Sequence, residues 1–404
     1  MVSFWDKLRG RQETTLSGAT TGTDPKTTRY EAETHRIPKD KLEAAYKDCP
    51  LVNQGINKFV QIIMSGNPHL ECEDKNILQF YEDFLDNIGY VGGNTNWREI
   101  LYRTFLDGCI YGSAWIEKMY NKKGNIADLD IIDAKTMDYA KSGQSIALDE
   151  YGMPLGYVQK VPYGRHSDNI KPPKEITITG NEKYIPKEYI AQIPLYNFGD
   201  GLKPIGLIEP CFNDVSTYLE LKKAYRKNAM SVLWPTRVAK VGDDKHEPNQ
   251  EVLEDMIKNL QEARYDTEIS TPNYVDLYIL EAKHPDALLN FLTFFREEII
   301  ISLGLPKPFV TGLGEETNRS TLNIQTELTI IATLDIIRRI CRHIEDKIFR
   351  QIAEEQGFKK EGKLIYPKIE WDLDRVFETI KTASNPPNPN PPKGDEDEDN
   401  REPV

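Results

Sequence analysis

The residues with the clearest potential for chemistry are carboxylates at alternate positions. Near the end of the chain, Glu370-Trp371-Asp372-Leu373-Asp374 sets an acid at every second residue. Alternate side chains of a strand share one face, and carboxylates grouped that way would hold Mg²⁺ for nuclease or nucleotidyltransferase chemistry. Asp128 and Asp130 repeat the spacing. An edge strand whose acids face water gives the same pattern without a metal, and this plainer reading is favoured for both runs. The remaining inventory is sparse, with no phosphate-binding glycine loop, no HExxH, no GxSxG and no CxxC. The six histidines (His35, His69, His166, His246, His284 and His343) are scattered, and each reads as a surface or packing residue. Five cysteines, Cys49, Cys72, Cys109, Cys211 and Cys341, form an odd set without metal-ligand spacing. They are expected to be free thiols in a reducing compartment. No catalytic constellation emerges, so neither an enzyme nor a cofactor or metal site is expected.

Charge narrows the classes further. The 404 residues carry 51 Lys and Arg against 64 Asp and Glu, a net charge of -13. The segment Asn385–Val404 holds six acids and two bases, which leaves about -9 for the rest. An acidic body argues against a protein that grips nucleic-acid phosphates, because that needs clustered Lys and Arg. It is compatible with a surface past which DNA slides. No apolar run reaches membrane-spanning length, and MVSFWDKLRGRQ lacks a signal-peptide core, so a soluble protein that is not exported is expected. A chain of this length can bury a large core in two or three lobes.

The elements alternate in blocks. Residues 1–38 show no sustained period and read as a flexible arm, with Phe4 and Trp5 as an anchor on a neighbour or as incidental aromatics. Leu42, Ala45, Val52, Ile56, Phe59, Val60 and Ile63 then recur at helical spacing, followed by a strand HLECE and helices NILQFYEDFLDNIG and NWREILYRTFLDGCIYG. From Ser113 the period becomes strand-like through SAWIEKMY, IADLDIIDAKTMDYA, IALDEYGMPLGYVQKV, EITITG and EYIAQIPLY. Residues 39–203 thus form an α+β lobe with an antiparallel sheet. A helix follows over 204–229, then a small insertion over 230–284: strand LWPTRVAKV, loop GDDKHEPN, helix QEVLEDMIKNLQEAR and strand VDLYILEA.

The last large block is a helix, a break and a longer helix. DALLNFLTFFREEIIISLGL is helical over 285–304, and PKPFVTGLGEETN cannot be, because Pro306, Pro308, Gly312 and Gly314 interrupt it. The second helix opens near Thr317, Asn318 and Ser320, which suit an N-cap. Its apolar stripe runs Ile324, Leu328, Ile331, Leu334, Ile337, Cys341, Ile344, Ile348, with Arg338, Arg339, Arg342, Glu345 and Lys347 beside or opposite it. KLIYPKIEWDLDR closes the body as a strand, with at most a short helix near Val376–Thr382. Residues 384–404, Pro-rich and then acidic, are expected to be disordered.

This order of parts resembles the portal proteins of tailed double-stranded DNA bacteriophages, whose lobes are called wing, stem, clip and crown. FLDGCIYGSAWIEK resembles the wing segment in which a helix ends at a glycine and enters a strand. GLKPIGLIEPCFNDV resembles the start of the first stem helix, and EEIIISLGLPKPFVTGLGEETNRSTL the passage from second stem helix through tunnel loop to long helix. The resemblance spans roughly residues 40–380, without a sizeable crown. It implies a wing at 39–203, stem helices at 204–229 and 285–304, and a clip at 230–284. A tunnel loop at 305–319 and a long helix with a closing wing strand at 320–383 complete the set. It further implies a ring, usually of twelve copies, at one capsid vertex, assembled in the host cytoplasm. The implied partners are the terminase large subunit, the major capsid and scaffolding proteins, head-completion or tail adaptors, and double-stranded DNA in the channel. The loop residues Lys307, Thr311, Gly312, Gly314, Glu315, Glu316, Asn318 and Arg319 would face the DNA. Asp243, Asp244, Lys245, His246 and Glu247 would face the motor or adaptor. Two rivals stand beside this reading: a metal-dependent nuclease or nucleotidyltransferase built on Asp372 and Asp374, and a virion adaptor that forms no ring.

Overall fold

The computed structural model describes residues 37–378, apart from 90–94, 144, 161–170, 175, 179–180, 199–201, 234–235, 243–249, 263–274, 281–284, 308–309, 311–318, 373 and 377. Two helices open it, α1 (Lys39–Asp48) and α2 (Pro50–Ser65). Pro50 separates them, since it starts α2 at the position where a missing N–H costs nothing. The residues expected inside from this stretch, Leu42 through Ile63, are all buried. β1 (His69–Glu71), α3 (Lys75–Asp86) and α4 (Trp97–Tyr111) follow. Asp74 caps α3 by accepting from the amides of Asn76 and Ile77, and Asn96 caps α4 through the amide of Glu99.

The strand block is antiparallel throughout. β2 (Ser113–Tyr120) lies between β3 (Ile126–Ile132) and a later strand, with Trp115 opposite Ile132 on one side and Gln192 on the other. A second sheet is built from β4 (Met137–Tyr139), β5 (Gly156–Lys160) and β6 (Glu182–Pro186), in that order. β7 (Ile190–Pro194) returns to the first sheet. Trp115 joins the two, its ring edge-on to Tyr157 at 4.8 Å and to Tyr139 at 5.9 Å.

The next helix begins later than its sequence suggests. Lys203–Ile205 is a strand, β9, paired with β8 (Tyr196–Phe198), and helix α5 covers Ile208–Leu233. The insertion is β10 (Thr236–Val241), α6 (Gln250–Glu262) and β11 (Val275–Leu280), with the strands antiparallel. α7 (Pro285–Ser302) then packs along α5. α8 (Arg319–Ile344) runs through a π turn at Glu345–Phe349 into α9 (Arg350–Gln356), so the long helix outlasts its expected end at Phe349. β12 (Lys368–Glu370) closes the body by pairing with β1. One apolar core joins α1–α4, the first sheet, the roots of α5 and α7 and the long helix. Among the described residues, no helix is long and apolar enough to cross a membrane.

Two strings that the sequence shows far apart meet at the base of α5. α4 ends on Gly112 at φ 87°, a left-handed value that suits glycine. A Cβ there would lie 2.6 Å from the Pro204 carbonyl oxygen. From the other side, a Cβ on Gly206 would lie 2.8 Å from the Cys109 oxygen. The Leu207 amide donates to that oxygen at 2.7 Å, and the Leu195 amide to the Gly112 oxygen at 2.8 Å. The end of α4, the end of the sheet and the start of α5 are therefore locked by backbone contacts that tolerate no side chain.

Candidate functional site

The candidate working region is the helix pair α5/α7 with the segment that leaves α7 for the long helix. α7 stops because Gly304 takes φ 68°, and its amide returns to the Ile301 oxygen at 3.0 Å. The chain beyond is rooted: Leu303, Leu305, Pro306 and Val310 are buried, and a Cβ on Gly55 would sit 2.8 Å from Leu303 Cδ1. Lys307, one of the expected loop residues, approaches Glu297 at 3.4 Å, a half-exposed pair of small energetic weight. Arg319 is the first residue of α8. Thr311, Gly312, Gly314, Glu315, Glu316 and Asn318 lie outside the described residues, as do Asp243, Asp244, Lys245, His246 and Glu247, and Phe4 and Trp5.

α7 is apolar on more sides than the rest of the described chain covers. Ile299 and Ile300 enter the core, yet Phe291 and Phe294 are 56% and 55% exposed and Ile301 is 70% exposed. Phe294 stacks edge-on with Phe295 at 5.3 Å. Leu289 on the same helix and Met230 on α5 add to this surface. Phe291 and Phe294, one helical turn apart, thus form an exposed apolar patch on this helix.

The long helix corrects its expected stripe. Ile331 is 64% exposed, and Thr329, Thr333, Ile336, Ile337, Ile340, Cys341, Ile344 and Ile348 point inward. The Thr333 hydroxyl is satisfied by the Thr329 oxygen at 2.7 Å, which lets a threonine take an apolar position. Glu345 and Lys347, expected beside or opposite the stripe, flank its buried residues Cys341, Ile344 and Ile348 and are themselves partly buried. Lys347 donates to the Gln192 oxygen at 2.5 Å, and burial pushes its pKa down to about 8. Glu345 accepts from the Ile369 amide at 2.9 Å, and burial raises its pKa. The Phe349 oxygen accepts from the buried Tyr81 hydroxyl at 2.7 Å. On α9, Gln351 accepts from Lys118 and donates to Tyr120, while Glu355 accepts from the Ile126 amide. The turn thus welds the helix end to the sheet.

The carboxylate runs find structural tasks. β12 ends at Glu370, so the strand alternation that would align Asp372 and Asp374 stops short of them. Asp372 donates its amide to the Gly66 oxygen and accepts from the Arg375 amide at 3.1 Å, opening a helical turn. Between them, Trp371 is buried and donates Nε1 to the Ile63 oxygen at 2.8 Å. Asp128 does not face water as expected; it is buried and accepts from the Gly89 amide at 2.9 Å, and Asp130 accepts from Thr95 at 3.1 Å. Both hold the α3–α4 connection on the sheet. Among the described residues no group of three His, Cys, Asp or Glu is arranged to hold a metal. His343 is half buried, with its pKa pushed down to about 4. The five cysteines are free, and all but Cys72 are buried.

By sequence, no family model and no curated protein matches the chain. By structure, the chain is similar to one in the virion of a native gene transfer agent particle, with a TM-score of 0.59 and 12% identity over 85% of this chain and 87% of that one. It is also similar to a chain of the neck of the native gene transfer agent particle computed with C12 symmetry, with a TM-score of 0.51 and 12% identity over 85% of each chain. An HK97 family phage portal protein from Corynebacterium diphtheriae matches at a TM-score of 0.48 and 10% identity, over 83% of this chain and 97% of that one. At such identities the likeness speaks for the fold. The chain has an α+β fold, shared over 85% of its length with those chains of the gene transfer agent particle.

Proposed function

We propose that the chain is a viral portal subunit that assembles into a ring, of about twelve copies, at one vertex of a capsid. The observation that carries this reading is the shared fold, over 85% of the chain, with a chain of a particle neck computed with C12 symmetry. The exposed aromatic side of α7 supports it, since a closed ring gives each subunit two neighbours to cover such faces. On this reading α5 and α7 are stem helices around a channel, and β10, α6 and β11 form the clip.

The segment from Lys307 to Arg319 is the tunnel loop, through which double-stranded DNA passes without sequence readout. Its bases stand only at its ends, and Lys307 is already close to Glu297. A sliding contact needs that weakness, because every firm phosphate contact adds salt-dependent grip. The loop at Asp243–Glu247 meets the terminase large subunit and later the head-completion or tail adaptor. The α+β wing meets the capsid and scaffolding proteins. The ring is built in the host cytoplasm and stays in the virion as the path for packaging and ejection. The chain itself carries no active site, and ATP hydrolysis belongs to the motor.

Native mass measurement of the purified protein tests this proposal. Twelve subunits of 46.4 kDa give a particle of about 560 kDa. A monomer that persists at high concentration contradicts it.

A further inference from the structure

A groove of about 540 Å³ lies between the long helix and the closing strand. Its floor is apolar and aromatic, with Ile337 and Cys341 from α8 facing Tyr366 and Trp371. Arg338 and Arg342, one helical turn apart, and Lys368 on β12 supply positive charge to its rim. Acids share the rim. Glu345 is committed to the Ile369 amide, Asp346 lies 3.8 Å from Arg342, and Glu370 stands on the strand. The pairing within the groove is loose, so its guanidinium groups have donors to offer a further carboxylate.

We infer that the groove is the docking site for the chain's own carboxyl-terminal segment, Asn385–Val404. Two features single out this occupant. The first is its attachment, since Trp371 lines the groove and the chain departs from it through Asp372 toward residues 379–404. A segment tethered beside its site meets it at an effective concentration in the millimolar range, so modest contacts suffice. The second is chemical fit. Asn385–Pro392 holds five prolines and three asparagines, a composition that favours an extended polyproline helix, and aromatic-lined grooves take such helices.

Eight residues in that form span about 25 Å, more than the roughly 18 Å of helix between Leu334 and Asp346. The proline stretch can therefore cross the floor and deliver Asp395-Glu396-Asp397-Glu398-Asp399 to Arg338 and Arg342. This inference concerns one subunit and holds whether or not the ring forms.

The test uses the full-length chain and a fluorescent peptide of residues 385–404. The peptide should bind a variant whose own five acids, Asp395 to Asp399, are replaced by Asn or Gln. It should bind the wild type at least tenfold more weakly, because the resident segment competes. Adding Arg338→Ala and Arg342→Ala to the acid-replaced chain should abolish binding; both residues are exposed, so folding is spared. Raising the salt from about 0.05 M to 0.5 M should weaken binding strongly. Equal binding to wild type and acid-replaced chain, or binding untouched by the arginine substitutions, overturns the inference. So does competition by a peptide of residues 1–20 with none by 385–404, which would give the groove to the Phe4-Trp5 arm instead.

Discussion

Replacing Gly112 by alanine tests the lock between α4, the sheet and α5. The position has φ 87°, where an L-residue costs about 1–2 kcal/mol. The new Cβ would lie 2.6 Å from the Pro204 oxygen and 2.9 Å from the Ile205 carbonyl carbon. These are backbone atoms of a paired strand, so relief requires moving β9 against β8 rather than rotating a side chain. Overpacking of this kind adds about 1–3 kcal/mol, for a total of about 2–5 kcal/mol. Gly124 provides the internal control. Its φ of 82° carries the same conformational cost, yet a Cβ there meets nothing within 4 Å. Guanidinium unfolding of Gly112→Ala and Gly124→Ala, at matched assembly state, should show the first to be weaker by about 1–3 kcal/mol. Gly206→Ala should combine with Gly112→Ala less than additively, because the two strain one contact. Equal losses at Gly112 and Gly124 would refute the lock.

Four other outcomes follow from the same structure. Trp371→Phe removes one of two donors to the buried Ile63 oxygen, the Gly66 amide being the other, and should cost about 0.5–1.5 kcal/mol in the same unfolding assay. Burial, with Asp133 adding to it and Arg103 opposing, raises the Asp107 carboxyl to about 7 from an ordinary 3.8. The folded state then binds this proton more tightly than the unfolded state, so the wild type should lose stability as pH rises from about 4 to 7. Asp107→Asn should flatten that slope, and an unchanged slope would count against the assignment. Phe291→Ser with Phe294→Ser should leave the circular dichroism and unfolding of the subunit intact but abolish the large particle on size exclusion. Deleting Gly312–Glu316 should spare ring assembly and impair DNA packaging or retention; failed assembly with normal packaging in residual rings would show the loop misplaced.

Much of the fold was legible because its elements carry undiluted periods. The stripe Leu42–Ile63 and the strands Ser113–Tyr120 and Ile126–Ile132 follow their sequence periods, while EITITG, expected as a strand, leaves among its described residues only an isolated bridge from Thr177 to Lys141. Misreadings arose where a distant partner overrode a local pattern. Lys203–Ile205 continues a helical-looking run, yet its pairing with Tyr196–Phe198 makes it a strand. Ile331 fits an apolar stripe, but the stripe that the core selects runs through Thr329 and Thr333. No spacing rule announces the π turn at Glu345–Phe349. The acids at 128, 130 and 372 were visible as acids; that they hold loops and cap a turn depends on Gly89, Thr95 and Arg375 amides or hydroxyls that only the fold brings near. The exposed apolar patch on α7 was half legible, because DALLNFLTFF shows too many apolar residues for one stripe.

The most direct measurement is an image of the assembled particle by electron cryomicroscopy, with and without bound DNA. The account predicts a closed ring with α5 and α7 lining the axial opening, Phe291 and Phe294 against a neighbouring subunit, and the segment from Lys307 to Arg319 projecting inward. An assembly without an axial opening, or one in which α7 faces solvent and Lys307–Arg319 lies on the outer rim, would contradict it.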